Sequence, residues 1–428
     1  MKMKSNAWLV SGVRTPFTRV DGALRTLDAI DLSVPVAKAM AAQMPPGTRP
    51  DLMVWGTVAP NLGWSNIARE VLISAGLDQS TPAFSTVLAC STSMAAVFEA
   101  AGMLGDGVDV ALCGGVESMS RVQIGLKQGL SDFIRRFSQA RSFGERIDRV
   151  GELRWADVRL HVPSVANRAT GKSMGEHCEE MAKQWGIARA DQDRIALQSH
   201  QRAVKAMAGG FFDDLVIPVE GMAKDGVPRA DTSAERLATL KPAFDRSSGK
   251  GTITAGNASP LTDGAAAVWI ANDAGLARLP ASRSRVRFVD YELAAVDVFK
   301  EGLLMAPAYA IPRLLARNDL TLDAIDLWEI HEAFAAQVLC NVAAIENPQF
   351  VRERAGVAAS LGRFPWERWN PNGGSVAIGH PFGATGARIL SQAVKELAAM
   401  GPGKRAIVSI CADGGLGTVA LLQSQGQE

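Results

Sequence analysis

Residues 85–96, STVLACSTSMAA, place a cysteine where a strand pattern changes to a helix pattern. The apolar run Val87–Ala89 stops at Cys90, and the small polar and alanine-rich residues that follow predict a helix over 91–104. A helix N-terminus favours negative charge, so we expect the pKa of Cys90 to fall and its thiolate to be available as a nucleophile. The alternative is that Cys90 is only a small buried side chain, which is common for free cysteines.

The composition limits the possible functions. The chain has 428 residues, is 47% hydrophobic and contains 41 glycines, which fits an α/β protein of two or three domains. Its formal net charge of +1 gives no electrostatic basis for nucleic-acid binding. The five cysteines form no CxxC pair, which indicates single thiols in a reducing compartment rather than disulfides or a zinc framework. No signal-peptide pattern and no apolar run of about 18 residues occurs, so we expect a cytoplasmic protein, with an organellar matrix as the alternative.

Strand and helix patterns alternate along the chain, which predicts layered α/β architecture. Two passages, 90–115 and 380–415, share one order: a reactive-type residue, a helix, a glycine turn, an apolar strand, then cysteine and glycines. This similarity predicts an internal duplication. The N-terminal half is expected to comprise 1–120 and 251–280, and the C-terminal half 281–428.

Residues 121–250 interrupt the pattern, because they are rich in charge and poor in strand signals. They predict an inserted, mainly helical loop domain that covers the first half. Within it, residues 129–153 place apolar side chains at helical spacing among several arginines. Such a basic amphipathic helix could contact a membrane surface or a partner protein. The alternative is an ordinary surface helix with its apolar face on the core, and the pattern alone favours that alternative.

Three further segments carry reactive side chains at turns. His380 lies in NGGSVAIGHPFGATGAR (372–388), Cys411 in SICADGGLG (409–417) and His331 in LWEIHEAFAAQ (327–337). Each residue alone could be structural. Together with Cys90 they could supply a nucleophile, its base, a second acid/base and an oxyanion donor. The glycine pattern is neither GxGxxG nor a phosphate-binding loop, which argues against a dinucleotide-dependent enzyme.

These segments, in this order, resemble the thiolase family. The resemblance covers nearly the whole chain and includes LKPAFDRSSGKGTITAGNASPLTDGAAA (240–267), which is typical of that family's coenzyme A loop. The HEAF sequence, where many thiolases carry Asn, and the insertion over 129–177 are most similar to the thiolase (β) subunit of the fatty-acid oxidation trifunctional complex. The resemblance implies the thiolase fold: two similar α/β halves with central mixed sheets stacked in layers, plus an inserted loop domain.

The resemblance also implies roles for individual residues. Cys90 would be acylated, and His380 would take its proton and help bind the thioester oxygen. Cys411 would protonate the departing acetyl-CoA carbanion and later deprotonate incoming coenzyme A. His331 would stand where the Asn of other members orients an oxyanion-hole water. The backbone N–H groups of Cys90 and Asp413 would form a second oxyanion hole.

Asp413 departs from the family, whose members usually carry Gly or Ala there. A carboxylate that faced Cys411 would raise thiol pKa values, so we expect it to face away. The family's coenzyme A contacts correspond here to Ser259, Met174, Arg229 and Phe334. Coenzyme A would be a substrate, and no metal or redox cofactor is expected.

The function that the resemblance implies is that of a 3-ketoacyl-CoA thiolase, which cleaves 3-ketoacyl-CoA by a ping-pong reaction through an S-acyl cysteine. The alternatives are an acetoacetyl-CoA thiolase running toward condensation and, from another class, a non-catalytic acyl-CoA- or lipid-binding protein of the same fold. The expected partners are a second copy of the chain or a higher oligomer, and an α subunit with hydratase and dehydrogenase activities. Peripheral membrane contact through 129–153 is a further expectation.

Overall fold

The computed structural model describes residues 6–59, 61–105, 107–163 and 165–425. The strands in this part of the chain are β1 (Trp8–Val10), β2 (Thr18–Arg19), β3 (Leu52–Gly56), β4 (Ala83–Ser85), β5 (Val110–Glu117), β6 (Gly125–Leu126), β7 (Leu160–His161), β8 (Thr262–Ala271), β9 (Arg285–Ala295), β10 (Leu327–Ile330), β11 (Arg405–Ala412) and β12 (Leu416–Gln423). The helices are α1 (Ala29–Ala41), α2 (Ile67–Ser74), α3 (Thr92–Met103), α4 (Gln128–Gln139), α5 (Phe143–Glu152), α6 (Met174–Gln184), α7 (Arg189–Ala208), α8 (Ala234–Ala238), α9 (Asp273–Leu276), α10 (Ala306–Arg317), α11 (Ala335–Glu346), α12 (Pro348–Glu353), α13 (Ser375–Ile378) and α14 (Thr385–Ala399).

A large mixed sheet forms the centre of the molecule. Its strand order is β10-β11-β12-β9-β1-β8-β5-β3-β4, and β2 pairs with β8. In the first half, β4, β3 and β5 are parallel, whereas β8 and β1 follow as antiparallel neighbours. In the second half, β10 and β11 are parallel, and β12 and β9 are the antiparallel neighbours. The predicted α/β fold with two similar halves is therefore confirmed.

The two halves are hydrogen-bonded to each other through β1 and β9, where Trp8 pairs with Arg287. The sheets of the halves therefore join edge to edge into one ten-stranded sheet. This pairing satisfies backbone groups that two separate sheets would leave open at their edges.

Helices α3 and α14 occupy equivalent positions in the two halves and pack against each other. Both are buried on nearly all sides, as expected for helices between layers. A Cβ at Gly386 would come within 2.4 Å of the Met94 backbone nitrogen, so glycine is needed for this close approach. The Ser93 hydroxyl accepts the Ala387 N–H at 2.8 Å. The first turns of the two helices therefore lie side by side.

The inserted region is mainly helical in the structure, with α4 to α8 and the short β6–β7 pair. Helix α6 buries Cys178, Met181 and Ala182 in the same cluster as α10 and α11 of the C-terminal half. Farther along, Ala203 of α7 joins the cluster that contains α3. The region therefore packs on both halves, which is more than the expected cover of the first half. Among the described residues, no helix combines the length and apolar character that a membrane crossing requires.

Candidate active site

Cys90 lies on a short 3₁₀ turn, Ala89–Ser91, directly before α3. Ala89 has a φ of +45°, in the left-handed region that residues with a Cβ rarely adopt. The Thr92 hydroxyl stabilises this turn, because it donates to the Ala89 carbonyl at 2.7 Å and accepts from the Leu88 N–H at 2.9 Å. A threonine side chain therefore holds the strained backbone that precedes the cysteine.

His380 lies in the corresponding turn before α14. Gly379 has a φ of +108°, and a Cβ there would come within 2.8 Å of the Thr262 side chain. The Thr262 hydroxyl accepts the His380 N–H at 2.8 Å. Because Thr262 begins β8, a strand of the N-terminal half fixes the position of this C-terminal histidine.

His331 and Cys411 come from neighbouring parallel strands. His331 directly follows β10, and its N–H donates to the Ser409 carbonyl of β11 at 2.8 Å. Cys411 lies two residues farther along β11. Because carboxyl ends of parallel strands meet at one edge, this geometry brings both residues to the same place.

The four predicted reactive residues meet in one site. Donor atoms of Cys90, His331 and His380 all lie within 4.8 Å of one another. The two imidazole rings have centroids 4.2 Å apart. Cys411 lies close enough to Cys90 for a charge on that thiol to raise the Cys411 pKa. The site therefore joins the first turns of α3 and α14 with the ends of β10 and β11.

Hydrogen bonds of Thr385 define the tautomer of His380. The Thr385 hydroxyl donates its hydrogen to the Pro381 carbonyl at 2.9 Å, so at its 2.6 Å contact with His380 it accepts from Nδ1–H. The Nε2 atom of His380 then carries a lone pair, and it is buried without a hydrogen-bond partner in the described residues. An unprotonated Nε2 beside a thiol has the form of a general base.

The opposite tautomer follows for His331. The Arg388 guanidinium donates to the Ser375 hydroxyl at 2.7 Å, and that hydroxyl lies 2.8 Å from His331 Nδ1. Nδ1 is the one acceptor that the described residues offer the Ser375 hydrogen, so we assign that hydrogen to Nδ1, and Nε2 of His331 then carries the proton. This Nε2–H is buried and has no acceptor among the described residues. It is suited to stabilise a developing oxyanion.

The pKa of Cys90 is raised to about 12, first by burial of the thiol and then by the charge of Asp413, with a smaller contribution from Glu117. Backbone N–H groups of Cys90 and Asp413 lie against the sulfur and favour the thiolate, but their effect is smaller. The expectation of a lowered pKa is therefore wrong, because desolvation outweighs the helix N-terminus. Cys90 rests as a thiol and must lose its proton as it reacts.

Burial also favours the neutral form of the other three reactive groups. It lowers the pKa of His380 to about 3, with Arg388 adding to the shift. It also lowers the pKa of His331 well below its usual range, helped by His380 and Arg388. Burial raises the pKa of Cys411 well above its usual value. All four groups are therefore neutral at neutral pH.

The carboxylate of Asp413 accepts hydrogen bonds from the Asn167 amide at 2.8 Å and from the Gly414 N–H at 2.6 Å. Both hydrogen bonds are to Oδ1, and the expectation that the carboxylate faces away from the thiols stays a prediction. Its charge nevertheless contributes to the raised pKa of Cys90. The backbone N–H of Asp413 remains at the sulfur, in the position expected for an oxyanion donor.

Three of the four residues assigned to coenzyme A lie near one another. The Ser259 hydroxyl donates to the Ala333 carbonyl at 2.9 Å, two residues beyond His331. Phe334 packs its ring against Phe244 with centroids 6.0 Å apart. Gly175, the neighbour of Met174, lies against Phe244, because a Cβ there would come within 2.2 Å of that ring. These three residues therefore border the His331 side of the site.

Arg229 belongs to a separate group of basic residues. Its N–H donates to His200 Nδ1 at 3.2 Å, and its side chain is exposed. Its charge lowers the pKa of Arg19 in β2, whose partial burial is the larger cause. Sequence reasoning did not identify Arg19 beside Arg229.

Sequence reasoning also missed the residues that orient the reactive groups. Ser375 and Thr385 determine the histidine tautomers, and Arg388 positions Ser375. Buried Glu117 accepts the N–H groups of Ala59 and Gly383, which ties the His380 turn to the N-terminal half. The only signal in the sequence was the position of hydroxyl residues at the start of helices after glycine turns.

Comparisons with known proteins agree with this geometry. Residues 7–274 match the family model "Thiolase, N-terminal domain", and residues 282–424 match "Thiolase, C-terminal domain". The chain is 37% identical to a 3-ketoacyl-CoA thiolase of Yersinia enterocolitica, over 97% of this chain and 96% of that protein. Among solved structures, human mitochondrial 3-ketoacyl-CoA thiolase matches with a TM-score of 0.80 and 28% identity, over 98% of this chain and 99% of that one. The acetyl-CoA acetyltransferase of Bacillus anthracis matches with a TM-score of 0.78 and 30% identity, over 99% of this chain and all of the other.

Two family models together cover nearly the whole chain, and the relatives match it from end to end. The chain therefore belongs to the thiolase family and is an acyltransferase.

Proposed function

We propose that this protein is a 3-ketoacyl-CoA thiolase, which cleaves its substrate by a ping-pong reaction through an S-acyl Cys90. The observation that carries the proposal is the grouping of Cys90, His331 and His380, whose donor atoms lie within 4.8 Å of one another. Hydroxyl groups engage Nδ1 of both rings, which leaves both Nε2 atoms for the reaction. The name of the Yersinia enterocolitica relative supports the choice of substrate.

In the first half-reaction, the Cys90 sulfur attacks C3 of the 3-ketoacyl group while His380 Nε2 takes the thiol proton. The His331 Nε2–H stabilises negative charge that develops on oxygen. The C2–C3 bond then breaks, its electron pair stays with the acetyl-CoA fragment, and Cys411 gives that carbanion a proton. The products of this half-reaction are acetyl-CoA and acylated Cys90.

In the second half-reaction, Cys411 takes the proton of the incoming coenzyme A thiol. The coenzyme A sulfur attacks the acyl carbon, and the N–H groups of Cys90 and Asp413 stabilise the tetrahedral oxyanion. The bond to Cys90 breaks, and His380 returns the proton to the sulfur. The raised pKa of Cys411 suits this cycle, because a neutral thiol is needed when the carbanion forms.

Coenzyme A acts here as a substrate. We place its pantetheine arm along Ser259, Met174 and Phe334, which border the His331 side of the site. Arg229, together with Arg19, supplies positive charge for a phosphate group.

Intact-protein mass spectrometry tests the proposal. Mixing the protein with a 3-ketoacyl-CoA in the absence of free coenzyme A should add one acyl group to the chain, and peptide mapping should place it on Cys90. Addition of coenzyme A should remove it. Acylation of another cysteine would reject the proposed roles, and absence of acylation and turnover would favour the non-catalytic acyl-CoA-binding alternative.

A second candidate is an acetoacetyl-CoA thiolase that runs toward condensation. The match to the Bacillus anthracis acetyl-CoA acetyltransferase supports it. Both reactions use the same groups, so the site geometry does not separate them. A series of 3-ketoacyl-CoA substrates would do so: the first candidate turns over long chains, whereas the second is restricted to the four-carbon substrate.

We place the reaction in fatty-acid β-oxidation in the cytoplasm, with a thiolase dimer or larger oligomer that joins a separate α subunit carrying hydratase and dehydrogenase activities. For the association with a partner, the support is the segment 129–153, whose form differs from the single helix expected from its pattern. It consists of α4 and α5, which pack together as a hairpin, and the break occurs where Ser142 caps α5 through Glu145.

The hairpin presents an apolar stripe. The rings of Phe133 and Phe137 contact each other in a tilted arrangement with centroids 5.8 Å apart, and both residues are partly buried. The exposed apolar side chains of the hairpin, with their exposed fractions, are Ile134 (46%), Phe143 (79%), Ile147 (56%) and Val150 (55%), and Trp155 (91%) follows just beyond α5. Phe143, Ile147 and Val150 follow helical spacing, so they share one face of α5. We propose that this face, with the neighbouring arginines, contacts the partner subunit or an anionic membrane.

A further inference from the structure

The three reactive side chains also form a set of metal donors. Cys90, His331 and His380 are the one such group in the part of the chain that the structure describes, and their donor atoms lie within 4.8 Å of one another. Both Nδ1 atoms are engaged by hydroxyls, which leaves Nε2 of each ring for a ligand. Both Nε2 atoms are buried and lack a hydrogen-bond partner among the described residues.

The donor chemistry fits zinc. A thiolate and two imidazoles are preferred ligands of Zn²⁺, with bonds of about 2.3 Å to sulfur and about 2.0–2.1 Å to nitrogen. Tetrahedral geometry then needs donor atoms about 3.3–3.7 Å apart. Separations of up to 4.8 Å exceed these values by about 1.1–1.5 Å, so rotations of the Cys90 side chain and of the two histidine side chains must bring the donor atoms together.

Residues around the site can orient the zinc ligands through hydrogen bonds and charge. Thr385 already accepts the Nδ1–H of His380, which is the arrangement found for metal-bound histidines. For His331, binding requires the other neutral tautomer, with Ser375 as acceptor. Two carboxylates, Asp413 and Glu117, act on the Cys90 sulfur, which favours a cation there, whereas Arg388 behind Ser375 opposes it.

We propose that Cys90, His331 and His380 bind one Zn²⁺ ion and thereby hold the enzyme in an inhibited state. The Cys90 sulfur forms a bond to zinc and its proton leaves to solvent, while the two Nε2 atoms bind through their lone pairs. A water molecule or the substrate oxygen takes the fourth position. Zinc and the acyl group then compete for the same sulfur. Only this inhibitory consequence rests on the proposed function; the binding itself does not.

His331 is the residue that creates the site. An asparagine at this position offers an amide oxygen, which is a weak zinc ligand, and leaves only one histidine beside Cys90. Zinc sensitivity is therefore tied to the histidine of HEAF. The cysteine spacing gave no indication of it, because two of the three ligands are histidines from distant segments.

Isothermal titration of the purified, chelator-treated protein with ZnCl₂ tests the proposal. The wild-type chain should bind one Zn²⁺, and Zn²⁺ should protect Cys90 from alkylation in peptide maps. Loss of a residue that only hydrogen-bonds to a zinc ligand typically lowers metal affinity by about 10- to 100-fold. His331→Asn and Cys90→Ser each remove a direct ligand, so each should raise the Kd for Zn²⁺ by about 100-fold or more. The exposed histidine variant His161→Ala is the matched control and should bind as the wild type does.

Stoichiometric binding that disappears in both site variants supports the proposal. Absence of binding in the wild type, or equal binding in Cys90→Ser, overturns it. Cys90→Ser is nearly isosteric, so it remains informative if His331→Asn is unstable. Thiolysis is measured separately in chelator: failure there rejects the proposed function, whereas the titration still decides on zinc.

Discussion

The Asn167 amide donates a hydrogen bond of 2.8 Å to the carboxylate of Asp413, which joins residues 246 positions apart. Asn167 lies in the inserted region, and its side-chain Oδ1 accepts the N–H groups of Ala169 and Thr170. Asp413 lies in the turn whose N–H reaches the Cys90 sulfur. The insertion therefore fixes a negative charge beside the nucleophile.

Removal of that charge should make Cys90 more reactive. Asp413→Asn keeps the backbone N–H but eliminates a carboxylate that disfavours the thiolate, so the pKa of Cys90 should fall from about 12. Below the pKa, each unit of decrease raises the thiolate fraction about tenfold. The rate of iodoacetamide alkylation at Cys90 should therefore increase severalfold at a given pH, as followed by peptide mapping.

The wild-type alkylation rate should keep rising with pH up to about pH 9, because a thiol with a raised pKa gives no plateau there. Asp191→Asn is the control and should leave the rate unchanged, because the half-exposed Asp191 pairs with Arg194 on α7 and is not among the charges that act on Cys90. An early plateau, or an unchanged rate in Asp413→Asn, would mean that the carboxylate does not act on the thiol.

Cys411→Ser should separate the two half-reactions. Cys90 should still accept an acyl group from an acyl-CoA, whereas thiolysis should fall by about 10²–10⁴, the usual contribution of general acid–base catalysis. Cys113→Ser is the control, since Cys113 is buried against the Ala96 carbonyl and takes no part in the site. Cys90→Ala should lose nearly all turnover and retain the fold. Equal loss of acylation and thiolysis in Cys411→Ser would indicate a structural role.

His331 should act mainly on the chemical step. Because its Nε2–H meets oxygen only as charge develops, His331→Ala should lower kcat about 10²-fold with little change in KM. His331→Asn should lower kcat much less, because an amide can also hold an oxyanion water. Steady-state kinetics with a short 3-ketoacyl-CoA distinguishes the two. A rise in KM alone would mean that His331 only helps to bind coenzyme A.

Ser375 should act as a positioning residue for His331. Ser375→Ala removes the hydroxyl that donates to Nδ1, so the ring should populate both tautomers. ¹⁵N NMR of labelled histidine should detect this change directly, and kcat should fall with KM unchanged. Ser375→Thr keeps the hydroxyl and should restore the tautomer. An unchanged His331 spectrum in Ser375→Ala would contradict the assignment.

Local patterns predicted the positions of the reactive residues well. The change from strand to helix at Cys90 predicted α3 over 91–104, and the structure has it at Thr92–Met103. Although the parallel pairing of the strands before His331 and at Cys411 joins distant residues and was not predicted, these strands and the glycine turn at His380 also follow from local signals. These features depend on residues close in sequence, so periodicity and turn chemistry reveal them.

The properties of the site depend on distant residues, and the sequence did not predict those. The pKa of Cys90 rises because burial and the Asp413 charge outweigh the helix terminus, and both effects come from the assembled fold. The histidine tautomers depend on which hydroxyl meets which ring. The division of 129–153 into two helices is different: the capping pair Ser142 and Glu145 was a local signal that could have predicted it.

The last prediction concerns the exposed hairpin α4–α5. Arg135 and Arg136 have exposed side chains, and Arg141 lies in the exposed connection between the helices. Changing all three to Glu replaces positive with negative charge beside the apolar face of α5. We therefore expect weaker pull-down of the α subunit, or weaker binding to anionic liposomes, at physiological salt.

Thiolysis of a short substrate should be retained, since no described reactive residue lies in the hairpin. Phe143→Ser with Ile147→Ser should weaken the same contact without a change in charge, because it removes exposed apolar area. The charge-matched control changes Lys300, Arg352 and Arg363, exposed cations outside the hairpin, to Glu and should bind normally. If the hairpin variants still bind both the α subunit and anionic liposomes, the role of α4–α5 in association is rejected. The hairpin would then serve only as a cover over the site.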